Sequence, residues 1–218
     1  MEDKSKIAII GLGNIGQAIA KNLVKNNHPV IVSSREITKA NSLAEKLGNL
    51  ATPMGIKDAI NEAAIIIPAI WYHSLNGFFN QYRKELQGKI VVDVSNPIAP
   101  DGNGGFSKVI GEKESAGEIN AKALPDQAKF VKALGTLGAA SLVGSANQRP
   151  EKAVLFYASE DPGLKGIIEQ LILDIGFEPV HIGGVNQSIR IEVFGDLHEF
   201  GGLGKAVTRK EIQLKIEV

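Results

Sequence analysis

The chain has 218 residues, of which 44% are hydrophobic and 22% charged. That length holds one domain, or one domain with a modest extension. With 24 basic and 24 acidic side chains the formal net charge is zero, which excludes broad electrostatic binding to nucleic acid or an anionic membrane, and the absence of cysteine excludes a disulfide framework, a thiolate zinc site and a Cys nucleophile.

Met1-Glu2-Asp3-Lys4-Ser5-Lys6 runs straight into a short apolar stretch. Residues 7–12 are too few to span a bilayer and lack a small-residue cleavage site, so a cytoplasmic protein is expected. Residues 6–11 (KIAIIG) are β-branched and apolar and end in glycine, as a strand buried on both faces does. Residues 14–26 carry Ile15, Ile19, Leu23 and Val24 on one helical face. Residues 29–33 predict a second strand and residues 37–47 a second helix, with Gly48 as its C-cap. A short helix over 57–63 leads to a strand at 64–67, stopped by Pro68. A helix over 73–86 and a strand over 89–94 follow. This alternation predicts a parallel sheet with right-handed crossovers.

Residues 96–111 are polar and glycine-rich and read as a long loop. Beyond them the pattern predicts a helix at 116–124, a strand at 129–133, and a small-residue helix or loop at 139–146. A strand at 153–158, a helix at 163–175 and a short strand at 179–182 come next. Residues 186–200 read as helical, and the charged tail after Gly204 has no placement. The expected fold is α/β: a Rossmann-type, doubly wound, mainly parallel sheet with helices on both faces and a small C-terminal helical extension. It forms one domain, with a dinucleotide-binding core over about residues 1–150 and an extension over about 151–218 that shapes the substrate side.

Gly11-Leu12-Gly13-Asn14-Ile15-Gly16 fits G-x-G-x-x-G between a predicted strand and a predicted helix. Gly11 permits the tight turn, Gly13 lets backbone approach a pyrophosphate, and Gly16 lets helix pack on strand. The helix N-terminus then offers unpaired N–H groups and partial positive charge to the phosphates.

In NAD enzymes an acid at the end of the second strand binds the ribose 2′-hydroxyl. Counting about 20 residues on from the turn lands near Glu36, which is an NAD reading. Counting from the strand end instead puts Ser34 in the acid's place, followed by Arg35. A hydroxyl and a guanidinium suit a 2′-phosphate, with Lys39 one turn later as a second cation and Ser33 as a further hydroxyl. Cations at a helix start oppose its dipole, so an anion there would explain them. The phosphate chemistry favours NADP(H).

These segments resemble the family of NADPH-dependent reductases of the deazaflavin coenzyme F420, the F420-dependent NADP oxidoreductases. The N-terminal domain of STEAP-type metalloreductases is related. The likeness rests on the Gly11–Gly16 turn with its Asn14, and on Ser34-Arg35 with Lys39 as a 2′-phosphate clamp. It also rests on Asp93-Val94-Ser95-Asn96-Pro97, similar to D-x-(S/T)-N-P, and on Val131-Lys132-Ala133-Leu134-Gly135-Thr136, similar to V-K-A-F-N-T. Gly135 departs from the Asn usual there. The resemblance implies that Pro68-Ala69-Ile70 lines the cofactor cleft, that Ser95, Asn96 and Pro97 flank the nicotinamide, and that the chain forms a homodimer. Position agrees, since both segments follow the carboxyl ends of parallel strands. Strand termination is the plainer role for Pro68 and Pro97.

Hydride transfer between two bound rings needs alignment more than a strong acid or base, and no catalytic constellation stands out. His198, beside Glu199, is the candidate proton shuttle. His73 could touch cofactor or substrate, His28 is expected at the surface, and His181 in a strand. No metal site is expected, because H-E-x-x-H and partner ligands are lacking. Phe106, in the loop Pro100-Asp101-Gly102-Asn103-Gly104-Gly105-Phe106, either packs on a flat acceptor ring or anchors a surface loop. The small-residue stretch 134–146 and the helix after Asn186 are candidate dimer surfaces.

The expected function is an NADPH-dependent oxidoreductase passing hydride to a flavin-like or deazaflavin acceptor, with F420 or a flavin as second substrate. The alternatives are a reductase of a small carbonyl or imine, which needs a proton donor, and an NADP(H)-sensing module that catalyses nothing.

Overall fold

The computed structural model describes residues 5–213, so the reading of Met1–Lys4 and of the tail beyond Gln213 lies outside the described residues. Eight strands form one sheet: β1 (Ile7–Ile10), β2 (Val30–Ser33), β3 (Ala51–Met54), β4 (Ile65–Pro68), β5 (Ile90–Asp93), β8 (Lys129–Ala133), β9 (Val154–Ala158) and β10 (Glu178–His181). Their spatial order is β10-β9-β8-β5-β4-β1-β2-β3. The pairs from β3 across to β8 are parallel, β9 lies antiparallel to β8, and β10 is parallel to β9. This is the doubly wound Rossmann arrangement. Its direction of winding reverses between β1 and β4, and open sheets of this kind bind ligands at such a point.

The strands are apolar on successive residues because helices cover both faces. Ile7 and Ile9 join one core cluster and Ala8 and Ile10 the other, as the period of two requires. The first cluster is closed by α1 (Asn14–Lys25), α2 (Ile37–Leu47), α6 (Ala139–Gly144) and α7 (Lys165–Ile175). The second is closed by α3 (Ile56–Glu62) and α4 (Tyr72–Gln81), with α5 (Ala116–Ala123) contacting α4. α2 begins and ends where its spacing predicts, and Gly48 closes it at φ +83°.

Several readings of the sequence change. β3 was not expected: it has four residues, one of them Pro53, and survives because it forms the sheet edge, where a missing N–H is tolerated. The expected loop at 96–111 contains a hairpin of β6 (Ile98–Pro100) and β7 (Phe106–Lys108). Asp101 organises its turn, its Oδ1 accepting Asn103 N–H at 2.8 Å and Gly105 N–H at 2.9 Å. Phe106 is 50% exposed and starts β7, opposite Pro100.

The helix expected over 186–200 is reduced to α8 (Ser188–Ile191). The chain then turns repeatedly, through Gly195 N–H to Glu192 O, His198 N–H to Gly195 O and Gly201 N–H to His198 O. The tail adds α9 (Arg209–Ile212), with Thr208 bridged to Ala153. Finally, Leu134, Gly135, Thr136 and Leu137 are buried inside the protomer, so this part of the stretch expected as a dimer surface is not available as one. Among the described residues no helix is long and apolar enough to cross a membrane.

Candidate functional site

The glycine turn sits at the carboxyl end of β1. Gly11 holds φ +100°, and its N–H donates to Ser33 O at 2.8 Å, tying the turn to β2. A Cβ on Gly11 would lie 2.5 Å from Ala69 O, and one on Gly16 would lie 2.0 Å from Gly11 O. The fold itself therefore demands glycine at both positions. Gly13 differs: a Cβ there would meet nothing within 4 Å, and the backbone is in an ordinary region at φ −74°. Gly13 is the N-cap of α1, no side chain caps that helix end, and its first turn holds no acid. Leu12 and Ile15 are half-buried against the first core, while Asn14 is exposed. Uncapped N–H groups beside an open glycine suit an approaching anion, so the residues present fit a pyrophosphate.

At the end of β2, Ser33 and Ser34 part company. Ser33 is buried and its hydroxyl donates to Met54 O at 2.8 Å, across to β3. It is therefore structural, and its reading as a phosphate hydroxyl is withdrawn. Ser34 is half-buried and Arg35 exposed. Lys39 Nζ lies 2.8 Å from Glu36 Oε1, and that ammonium holds the exposed Glu36 carboxyl below its usual range. Glu36 thus engages Lys39.

Pro68 is buried, with Ala69 and Ile70 half-buried against the turn. Ala69 O and Ile70 Cγ2 are the atoms that a Cβ on Gly11 would strike. Pro68-Ala69-Ile70 therefore adjoins the glycine turn at the switch point.

The ends of β5 and β8 are built on a buried ion pair. Lys132 and Asp93 are 1% and 0% exposed, with Nζ 3.0 Å from Oδ2. Asp93 also accepts Ser95 N–H at 2.8 Å and Asn120 Nδ2 at 2.9 Å, while Lys132 donates to Ser95 O. Every charged atom has a partner, the condition for tolerating such a pair, and together they fix the Ser95–Asn96 turn. Gly135 has a local reason: a Cβ there would lie 2.7 Å from Val94 O. The side chain usual at this position in the resembled family has no room here.

The Asn96 side chain is committed within the fold. Its Nδ2 donates to Gly135 O at 2.9 Å and its Oδ1 accepts Val193 N–H at 2.7 Å. It joins the β5 turn, the β8 turn and the C-terminal segment. Nearby, the buried Glu192 carboxylate accepts Ser115 Oγ and the N–H groups of Ala116 and Gly117, closing the start of α5.

His198 serves the same purpose, and its reading as a proton shuttle is withdrawn. It is 1% exposed. Its Nε2 lies 2.9 Å from Gly135 O, and its Nδ1 accepts Phe200 N–H at 3.0 Å. A carbonyl can only accept and an amide N–H only donate, so Nε2 carries the single proton. Burial pushes its pKa below the usual histidine value. Because the folded pKa is the lower one, this stability is complete above about pH 6.5, the unfolded value, and falls as pH drops below it. His198→Gln is expected to flatten the pH dependence of the melting temperature there. A variant keeping the wild-type slope would show that another group titrates.

His28 is buried rather than superficial, its Nδ1 2.8 Å from Pro29 O and its Nε2 3.6 Å from Asp174. His73 is exposed and stacks on Trp71. Among the described residues, no group of three or more His, Asp or Glu side chains is placed to hold a metal. An open depression of about 520 Å³ is lined by Glu151, Glu178 and Arg209. β10 is separated from β1 by four strands, so it lies away from the glycine turn.

Legible signals were missed here. Lys132 inside an apolar strand and Asp93 ending another are opposite charges on neighbouring strands. Glu192 and Asn120 carried no such sign.

Residues 6–97 match the family described as NADP oxidoreductase, coenzyme F420-dependent. The F420-dependent NADP reductase of Methanocaldococcus jannaschii is 36% identical over 104 residues, 43% of this chain and 46% of that protein. The metalloreductase STEAP3 of Rattus norvegicus is 24% identical over 194 residues, 88% of this chain and 36% of that protein. The aligned part of the chain thus spans less than half of either relative. A hypothetical protein from Sinorhizobium meliloti, known from its crystal structure, superposes with a TM-score of 0.79 at 28% identity, covering 89% of this chain and 93% of that one.

Proposed function

We propose that this chain, whose residues 6–97 match the coenzyme F420-dependent NADP oxidoreductase family, is an NADPH-dependent oxidoreductase acting on a flavin-like or deazaflavin acceptor of the F420 type. The observation that carries the reading is Gly13. Gly11 and Gly16 are glycine because the fold has no room there, whereas the space over Gly13 is open, beside an uncapped helix start. Backbone approach by a pyrophosphate explains it.

When bound, NADPH supplies the hydride. The chain's residues bind and orient. Gly11–Gly16 seats the pyrophosphate. Ser34 and Arg35 receive the 2′-phosphate, and Lys39 joins them on leaving Glu36. Pro68-Ala69-Ile70 walls the cleft, and Ser95-Asn96-Pro97 flanks the nicotinamide on a turn that the Asp93–Lys132 pair holds still. Such alignment is the main protein contribution to a hydride step. The committed His198 weakens the carbonyl or imine alternative, which needs a proton donor. A homodimer, which the family resemblance suggests, is part of this reading.

The test has two parts. Arg35→Ala is expected to raise the NADPH dissociation constant about tenfold, the loss of one charge-assisted phosphate contact, while leaving NADH nearly unchanged. Equal effects on both cofactors would remove the 2′-phosphate assignment. NADPH oxidation should then be followed against F420, FMN, FAD and riboflavin. Binding of NADPH with silence across that panel would favour the sensing module or a small substrate.

A further inference from the structure

Large apolar side chains in water carry a cost unless something covers them. Among the described residues the three most exposed are Phe200 at 62%, Phe194 at 53% and Trp71 at 52%. Each belongs to a segment attached to the carboxyl edge of the sheet. Trp71 follows the end of β4. A Cβ on Gly138, just past β8, would meet the Phe200 ring at 3.2 Å. Phe194 follows Val193, whose N–H is held by Asn96.

Phe194 stands apart from the other two. Its φ is +70°, in the left-handed region that an aromatic residue enters only at a cost and that glycine or asparagine would occupy more easily. Its neighbours enforce this. On one side Asn96 grips Val193, and the Glu192 carboxylate is locked to the start of α5. On the other, a Cβ on Gly201 would lie 2.7 Å from Phe194 C and 2.0 Å from Gly195 O, while Gly202 N–H donates to Gly195 O. The backbone is clamped, yet the residue gains little burial from being phenylalanine. Strain kept where packing does not repay it points to a ligand.

We propose that Phe194 is the aromatic contact of the hydride acceptor, held in a strained conformation beside Asn96, and that the acceptor accordingly presents a flat conjugated ring. The inference rests on the oxidoreductase reading and adds to it the residue that selects the acceptor class. A ring face stacks on an exposed phenyl group with offset geometry, and a clamped backbone spares the ordering that a mobile loop would undergo on binding.

The experiment compares Phe194→Ala, Phe194→Gly and Phe194→Trp with wild type. The readouts are NADPH affinity, binding of FMN and of F420 to the NADP⁺-loaded protein by fluorescence quenching, turnover with its acceptor KM, sedimentation, and melting temperature. Phe194→Ala should weaken acceptor binding about tenfold and raise its KM to match, with NADPH affinity within about twofold of wild type, and Phe194→Trp should retain binding. Phe194→Gly should bind acceptor as poorly as Phe194→Ala yet melt about 2–4 °C higher, because glycine accepts the backbone angle. Unchanged acceptor affinity in Phe194→Ala overturns the proposal and leaves the oxidoreductase reading intact. So does a shift from dimer to monomer on sedimentation, which would make Phe194 a subunit contact, and so does Phe194→Gly melting no higher than Phe194→Ala. Binding of FMN or F420 that depends on Phe194 but comes with no NADPH turnover would overturn both readings, since Phe194 would then hold a ring that accepts no hydride. A wild-type protein that quenches neither probe overturns both.

Discussion

Gly16→Ala is expected to unmake the glycine turn, lowering stability and, if the turn seats NADPH as proposed, removing measurable NADPH binding together. Two effects oppose each other. Alanine is the better helix former by about 1 kcal/mol, and position 16 is helical. Against that, its Cβ would lie 2.0 Å from Gly11 O and 3.2 Å from Ala69 Cβ. The first of these atoms is backbone, already fixed by the bond from Gly11 N–H to Ser33 O, and cannot swing aside. Overpacking of this kind costs about 1–3 kcal/mol or more, so the clash wins. Gly13→Ala is the matched control. Its Cβ meets nothing in the fold, so its melting temperature should stay near wild type while NADPH affinity drops. Thermal melts with NADPH fluorescence titrations separate the two. A stable Gly16→Ala protein, or a Gly13→Ala protein with undiminished affinity, would show that the turn is not used as described.

The second large effect is expected at Lys132. Lys132→Met removes the cation and strands the Asp93 carboxylate, 0% exposed, in the interior. Breaking one side of a buried pair costs about 3–5 kcal/mol, most of it the uncompensated charge, whereas removing both charges is far milder. The double variant Asp93→Asn with Lys132→Met should therefore recover much of the loss. An asparagine can still accept from Ser95 N–H, as Asp93 does now. Chemical denaturation of the two single variants and the double variant gives the coupling directly. A single Lys132→Met variant within about 1 kcal/mol of wild type would mean that the pair is less enclosed than its burial indicates.

Both predictions concern segments visible before any coordinates, and they show where sequence reading stopped. β1, α1, β2 and α2 were legible because each is continuous and strongly patterned. A strand buried on two faces has no polar position to blur it, each helix carries one apolar stripe, and α2 ends at Gly48. β3 was not legible, since four residues with a proline carry too little pattern and are held by their edge position. The 186–200 segment misled for the opposite reason. Its apolar spacing suits a helix, but Glu192 is drawn to the start of α5 and Phe194 turns left-handed, both responses to distant parts of the chain.

The site divides along the same line. The amino-acid sequence by itself determined the alternating strands and helices of the core and the glycine turn, because these depend on neighbours within a few residues. Tertiary structure alone decided what the remaining polar residues do. Ser33 is spent on Met54, 21 residues away. His198 holds a carbonyl 63 residues back. Asn96 reaches a backbone N–H 97 residues on. Hydrogen-bonding capacity is a property of the side chain, but a buried group takes whichever partner the fold brings within reach, and that choice is made only when the strands, turns and C-terminal segment meet.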